Sequence, residues 1–293
     1  MTFFVQDLTT AEIWRKIASF QSESSIKETE SPDVEVVDTA QVNHEATKAK
    51  FQETEAIREG MEKKPKETLF DKTYAYMEKA HAEAREHPLT RSISTGKFTP
   101  DEFKEYLKDL EGIHKSLVEA EQKIQGTKYG HFVLPEIRRF EAIKRDIDAW
   151  NASEVKATEE VEKYGNYLVE ISKTNPELLI AHMFVNYGGI LFGGQKIKYK
   201  VQEVYDREIA PLDLFSENDQ EAGRGIAYYT FSGSGASTSK RTWIQHFNEM
   251  PQKIGISKDD AANFEKKLGD ESIVAFQFII KILDTRKPKD TTI

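Results

Sequence analysis

Cysteine is absent from the 293 residues, so disulfides, thiolate metal sites and cysteine nucleophiles are all excluded, and nothing is left to report a redox compartment. Long apolar runs are missing too: no stretch approaches the roughly 18 residues of a membrane span. The N-terminus has no basic region followed by an apolar core and a small-residue cleavage site, and Asp7 and Glu12 argue against an organellar transit peptide. A net positive charge is lacking as well. At -9 the overall field repels nucleic acid, and any anionic ligand needs a local basic patch. What remains, 38% hydrophobic and 31% charged residues, is the composition of a chain that buries a core. The expectation is a soluble protein, cytoplasmic or otherwise, with no signal peptide, no transmembrane segment and no nucleic-acid partner.

Composition shifts along the chain. Residues 1–20 carry a capping-box pattern, Thr9 with Glu12, followed by Ile13, Trp14, Ile17 and Phe20 at helical spacing, which predicts a short amphipathic helix. It either folds back on the main domain or docks on a protein partner or a membrane surface. Residues 21–45 are rich in Ser, Glu and Asp with Lys27 as the one basic residue, a linker signature, and residues 1–45 are a candidate segment for a protein partner. Residues 46–64 alternate charges without an apolar stripe. A compact domain is expected over 65–286, with 287–293 as a tail.

Within that domain nearly every segment reads as helix. Thr99-Pro100-Asp101-Glu102 is a capping box with proline at the first helical position, opening a helix to about Ile124. Leu134-Pro135 opens another to Trp150, Ser153 is placed to cap one reaching Ser172, and Asn175-Pro176 opens the next. Ser257 with Asp260 begins a last long helix carrying Ile273, Phe276, Ile280 and Leu283. The alternation at Ala227 to Phe231 is too short to require a strand. The fold class is all-α, a bundle of seven or so helices.

One stretch contradicts its helical flanks: YGGILFGGQ, residues 187–195, holds four glycines in nine residues. Each interior glycine costs about 1 kcal/mol relative to alanine, so the missing side chains or a bent backbone must serve something that approaches closely. Two histidines stand out by context. His81 sits among Ala80, Ala82 and Ala84, where little bulk would hinder a flat ligand, although such a residue also reads as an ordinary surface histidine. His182, in LLIAHMFVNYGG, reads alone as a hydrogen-bonded core histidine.

Taken in order, the segments KAHAEAREHPL, FKEYLKDLEGIHKSLVEAE, LPEIRRFEAIKRDIDAW, LLIAHMFVNYGGILFGGQ and YYTFSGSG resemble the heme oxygenase family over roughly residues 66–286. The fourth is similar to that family's signature helix, where an Ala-His pair precedes a tyrosine, a glycine and a Gly-Gly-Gln. The resemblance implies a single helical bundle in which heme lies between a proximal helix bearing the iron-ligating histidine and a kinked distal helix whose glycines lie against the porphyrin. It makes His81 the iron ligand and Gly188, Gly189, Gly193 and Gly194 the distal kink. Lys240, with Arg241 beside it, matches a basic position facing the heme propionates, or else is an ordinary solvated charge. Phe184 stands where a tyrosine is usual, and Ile244 falls near the next expected basic position.

Departures on both the distal and the proximal side bear on chemistry. Ile190 replaces an aspartate that holds a distal water, Asn186 replaces an arginine of the same network, and His114 replaces a distal tyrosine. On the proximal side the glutamate expected four residues after the ligand is Arg85, with Glu86 next to it. The implied activity is cleavage of heme, both substrate and cofactor, by O2 and an external reductant to biliverdin, carbon monoxide and iron, with a reductase or ferredoxin as electron donor. In that activity Asn186, His114 and Gly189 are the catalytic candidates. The alternative is a heme-binding or interaction protein of the same fold whose catalysis is impaired by Ile190. A thiaminase-like member would need the absent cysteine, and a di-iron oxidase would need more than the single Glu111–His114 pair.

Overall fold

The computed structural model describes residues 67–209, 224–231 and 235–286. The expected N-terminal helix, the acidic linker and the C-terminal tail lie outside the described residues. Those described form α-helices, short 3-10 turns and one π-helical turn with no strand among them, so the all-α expectation holds.

The helices are α1 (Leu69–Glu86), α2 (Pro88–Thr95), α3 (Pro100–Ile124), α4 (Phe140–Ala149), α5 (Glu159–Thr174), α6 (Pro176–Gly188), α7 (Gln195–Glu208), α8 (Gly235–Lys253) and α9 (Ala261–Asp284). Among the described residues none is long and apolar enough to cross a membrane. Caps set the boundaries. Thr99 and Glu102 close a reciprocal capping box at α3, and Thr68 with Asp71 does the same at α1. Ser257 Oγ accepts the Asp260 backbone N–H at 3.1 Å just before α9.

Three boundaries differ from the sequence expectation. The last helix begins at Ala261 and not from a cap at Ser257, because the Ser257 hydroxyl closes a turn onto Asp260. The helix foreseen from Pro135 to Trp150 is broken into a 3-10 turn, Pro135–Ile137, and α4, because the buried Arg139 turns its guanidinium onto the Ile137, Glu136 and Thr230 carbonyls. The helix foreseen from Ser153 starts at Glu159 instead. Asn151 takes a left-handed φ of 54°, and the Thr158 N–H donates to Asp109 at 2.9 Å, so the chain stays unwound until that contact is made.

The core places α6 at the centre. All nine residues from Leu179 to Tyr187 are buried, as expected of a helix enclosed on every side. α9 packs on α6 and on α1: Glu271 reaches His182, while Gly269 lies so close to Tyr76 that a Cβ would stand 2.5 Å from its ring. At the other end of α1, Phe70 meets Phe184 and Phe192 at 5.4 Å each. The two helices are therefore joined through α9 and through an aromatic cluster at the start of α1.

Candidate functional site

The glycine stretch begins where α6 ends. The chain does not break there but widens into a π-helical turn, Gly189–Gly194, with right-handed dihedrals at Gly188 (φ -57°, ψ -45°) and Gly189 (φ -51°, ψ -44°). No left-handed residue is involved, so the glycines serve for space rather than for conformational freedom. They divide by environment. A Cβ at Gly194 would meet the Tyr229 ring at 3.0 Å and one at Gly188 would touch Trp243 at 3.8 Å, whereas at Gly189 and Gly193 nothing among the described residues lies within 4 Å.

A π-turn leaves backbone carbonyls without their regular partners. Gln195 compensates: its side-chain amide donates to the Tyr229 carbonyl at 3.0 Å and lies 3.4 Å from the Ile190 carbonyl. The segment behind is itself clamped, since Asp146 accepts the Ala227 and Tyr228 N–H groups at 2.7 Å each, and Trp150 donates to the Gly225 carbonyl at 2.8 Å. Gly-Gly-Gln thus has a local physical reason: Gly194 admits Tyr229, and Gln195 fastens the widened turn to it. Gly194→Ala is expected to cost about 1–3 kcal/mol of stability, because Tyr229 is fixed and cannot yield. Urea unfolding checks it.

Around the turn stands an aromatic wall. Phe184 packs on Trp243 at 5.2 Å and on Phe247 at 4.5 Å. The Lys240 ammonium lies 4.1 Å from the centre of the Phe192 ring. Burial, with Lys196 nearby, holds Lys240 below its usual value, so two positive charges converge beside the turn; Arg241 is exposed next to them. Phe184, Gly188 and Lys240 are brought together here.

Asn186 faces elsewhere. Its amide nitrogen donates to the Tyr164 hydroxyl at 3.0 Å and to the His182 carbonyl at 2.9 Å. Tyr164 in turn lies 2.9 Å from His182 Nδ1, and His182 Nε2 is 2.8 Å from Glu271, which also accepts from Tyr167 at 2.7 Å. Burial holds the His182 imidazole below its usual range despite Glu271. Burial pushes the Glu271 carboxyl up, but hydrogen bonds from His182 and Tyr167 outweigh it and leave it below its usual value. The chain therefore runs in one direction: a neutral His182 accepts from Tyr164 and donates to an ionised Glu271. His182 is a hydrogen-bonded core histidine. Tyr164 and Glu271 carry no local signal for these roles, since their pairings span 22 and 89 residues.

His114, on α3, is 1% exposed, with Nε2 3.3 Å from the Tyr228 hydroxyl and Nδ1 buried without a partner. Burial, helped by Arg139, lowers its pKa to about 3. Glu111, its neighbour in sequence, pairs with Lys108 instead. The unfolded chain protonates this histidine below about 6.5, whereas the folded chain does not until about 3, so stability present above pH 6.5 is lost as pH falls. His114→Leu is expected to be less stable at pH 7, yet to lose about 2 kcal/mol less than the unmodified chain between pH 7 and pH 5. Urea midpoints at the two pH values decide this.

His81 lies on α1 with its ring edge-on to Phe276 at 5.7 Å and Nδ1 3.4 Å from the Tyr74 hydroxyl. Burial, with Arg85 one turn on, holds it below its usual value. It is thus neutral at pH 7, and among the described residues Nε2 has no hydrogen-bond partner.

The heme oxygenase family profile matches residues 75–285, which takes in α1 from Ala75 onward, the π-turn and all of α9. The chain belongs to the heme oxygenase family. Heme oxygenase 1 of Homo sapiens is 29% identical over 180 residues, 58% of this chain and 57% of that protein. Heme oxygenase 1 of Gallus gallus is 28% identical over 211 residues, 70% of this chain and 64% of that protein. This member therefore matches less than two thirds of either relative. Among solved structures, heme oxygenase-1 of the cyanobacterium Synechocystis, in complex with heme, superposes with a TM-score of 0.61 at 22% identity, covering 74% of this chain and 91% of that one. At that identity the likeness shows the shared all-helical fold alone.

Proposed function

We propose that the chain binds heme between α1 and the α6/π-turn segment and cleaves it oxidatively to biliverdin, carbon monoxide and iron, using O2 and an external electron donor such as a reductase or ferredoxin. The observation that carries this reading is the open space in front of Gly189 and Gly193, while the other two glycines of the stretch are packed against side chains. A flat macrocycle needs a backbone face of that kind, and among the described residues no side chain packs on these two positions.

The remaining residues fit the group. His81 offers a neutral imidazole with a free Nε2, the form in which histidine binds a metal. Phe184, Phe192 and Trp243 supply an apolar wall, and Lys240 with Arg241 supplies positive charge for carboxylates at its edge. Bound heme supplies the iron at which O2 is reduced. The chain's own part is to hold the ring, exclude water and position protons; for the last the candidates are His114, whose Nδ1 has no partner among the described residues, and Asn186, whose amide donors are engaged by Tyr164 and the His182 carbonyl.

Adding hemin to the purified protein and following the Soret band, then supplying ascorbate or a reductase and reading biliverdin absorbance, tests binding and turnover in turn. A glycine pair sharpens the first half. Gly193→Ala meets no atom, so the ligand-free protein is expected to gain about 0.5–1 kcal/mol of stability while hemin affinity falls. Undiminished affinity would remove Gly193 from the heme face. A second reading, a heme-binding protein with impaired turnover, is favoured by Ile190: it is 3% exposed and stands where a polar distal group would be needed.

A further inference from the structure

On α1 the ring of His81 has one oxygen within hydrogen-bonding distance. Side chains on a helix lean toward its N-terminus, so His81 points back along the face that carries residue 74 two turns earlier. The Tyr74 hydroxyl meets Nδ1 at 3.4 Å, with the two rings 5.7 Å apart and tilted by 59°. Tyr74 makes no other hydrogen bond among the described residues. Arg85, the side chain one turn beyond His81, cannot accept a bond and gives its Nε–H to Glu86 at 3.1 Å. Phe276 closes the ring's edge with carbon only.

We propose that Tyr74 is a positioning residue that accepts the Nδ1–H of His81, fixing the tautomer whose Nε2 lone pair is free for a metal. An isolated imidazole divides between two tautomers, and the hydrogen bond made by one nitrogen decides which the other adopts. A hydroxyl oxygen is a weaker acceptor than a carboxylate, so it orients the ring while transferring little negative charge to it. Ring orientation and ligand basicity are thereby separated in this chain: Tyr74 provides the first, and the arginine at position 85 withholds the second. The inference about the metal rests on the heme reading, whereas the tautomer itself does not.

The test has two arms on the full chain. Long-range proton–nitrogen correlation spectra of the heme-free protein at pH 8 are expected to show His81 protonated on Nδ1, and Tyr74→Phe to shift it toward the Nε2–H form. With hemin added and the iron reduced, Tyr74→Phe is expected to lower the iron–histidine stretching frequency and to weaken hemin binding by about tenfold, the low end for loss of a ligand's hydrogen-bond partner. Adding Arg85→Glu to Tyr74→Phe places an acceptor one turn away and should restore both, which a merely structural effect of the lost hydroxyl would not do. An Nε2–H tautomer in the unmodified protein, or a stretching frequency unmoved by Tyr74→Phe, overturns the proposal. Absence of any imidazole-ligated spectrum in the unmodified protein would instead overturn the heme reading, leaving the tautomer arm to decide the role of Tyr74.

Discussion

His81→Ala is expected to abolish the imidazole-ligated hemin spectrum and to weaken hemin binding by at least about tenfold, with exogenous imidazole restoring the spectrum in the vacated space. Three of the other histidines are poorly placed to take over. His87 caps α2, its Nδ1 accepting the Leu89 N–H at 3.2 Å while Nε2 sits 3.4 Å from Asp284. His182 has both ring nitrogens committed to Tyr164 and Glu271 inside the core. His114 keeps a free nitrogen, but one fully buried beside Tyr187 and Tyr228. A partly exposed, neutral ring on a helix surface of small residues is what iron coordination requires, and His81 has it. Spectrophotometric titration of the variant reads the result. A spectrum identical to that of the unmodified protein would show that iron is held elsewhere.

The features that sequence made legible are those encoded within a few residues. Thr99 with Glu102 and Pro176 at a first helical position act on their own turn, and each stands where its local chemistry placed it, whereas Ser257 with Asp260 closes the turn before α9 and not its first helical turn. The glycine stretch was legible as a place where something comes close, and its ambiguity was in what comes close. Composition cannot divide four glycines into two that admit Trp243 and Tyr229 and two with no described atom within 4 Å, because the deciding side chains lie 55 and 35 residues away. The same holds for polar pairing. Nothing in the run VEKYGNYL distinguishes Tyr164, which joins Asn186 and His182, from any other buried tyrosine. Arg139 shows the opposite failure: its local sequence reads as helix, and its guanidinium, held by the distant Thr230 carbonyl and the local Glu136 and Ile137 carbonyls, breaks that helix open.

Ile190 carries the other large effect, on oxygen chemistry. Opening the macrocycle requires a proton delivered at the distal face in step with reduction, and an ordered water is the usual means of holding it there. Isoleucine has no donor or acceptor and displaces water from its own side. The neighbouring polar groups compensate incompletely. Both donors of the Asn186 amide are engaged by Tyr164 and the His182 carbonyl, and His114 stays neutral down to about pH 3. Slow or incomplete biliverdin formation is therefore expected from the natural sequence. Ile190→Asp is expected to raise the rate by about tenfold or more, since a positioned proton donor is worth roughly 10²–10⁴ where its network is complete. The gain depends on solvation. Ile190 is 3% exposed and its side chain lies against Gly194, so a carboxylate there costs stability unless water enters with it. Ile190→Leu is the control, retaining the apolar surface and leaving the rate low. Single-turnover conversion with excess reductant and catalase present, followed as biliverdin absorbance, separates the outcomes. Brisk and complete conversion by the unmodified protein would show that Tyr164, Asn186 and His114 order the distal water without help from position 190.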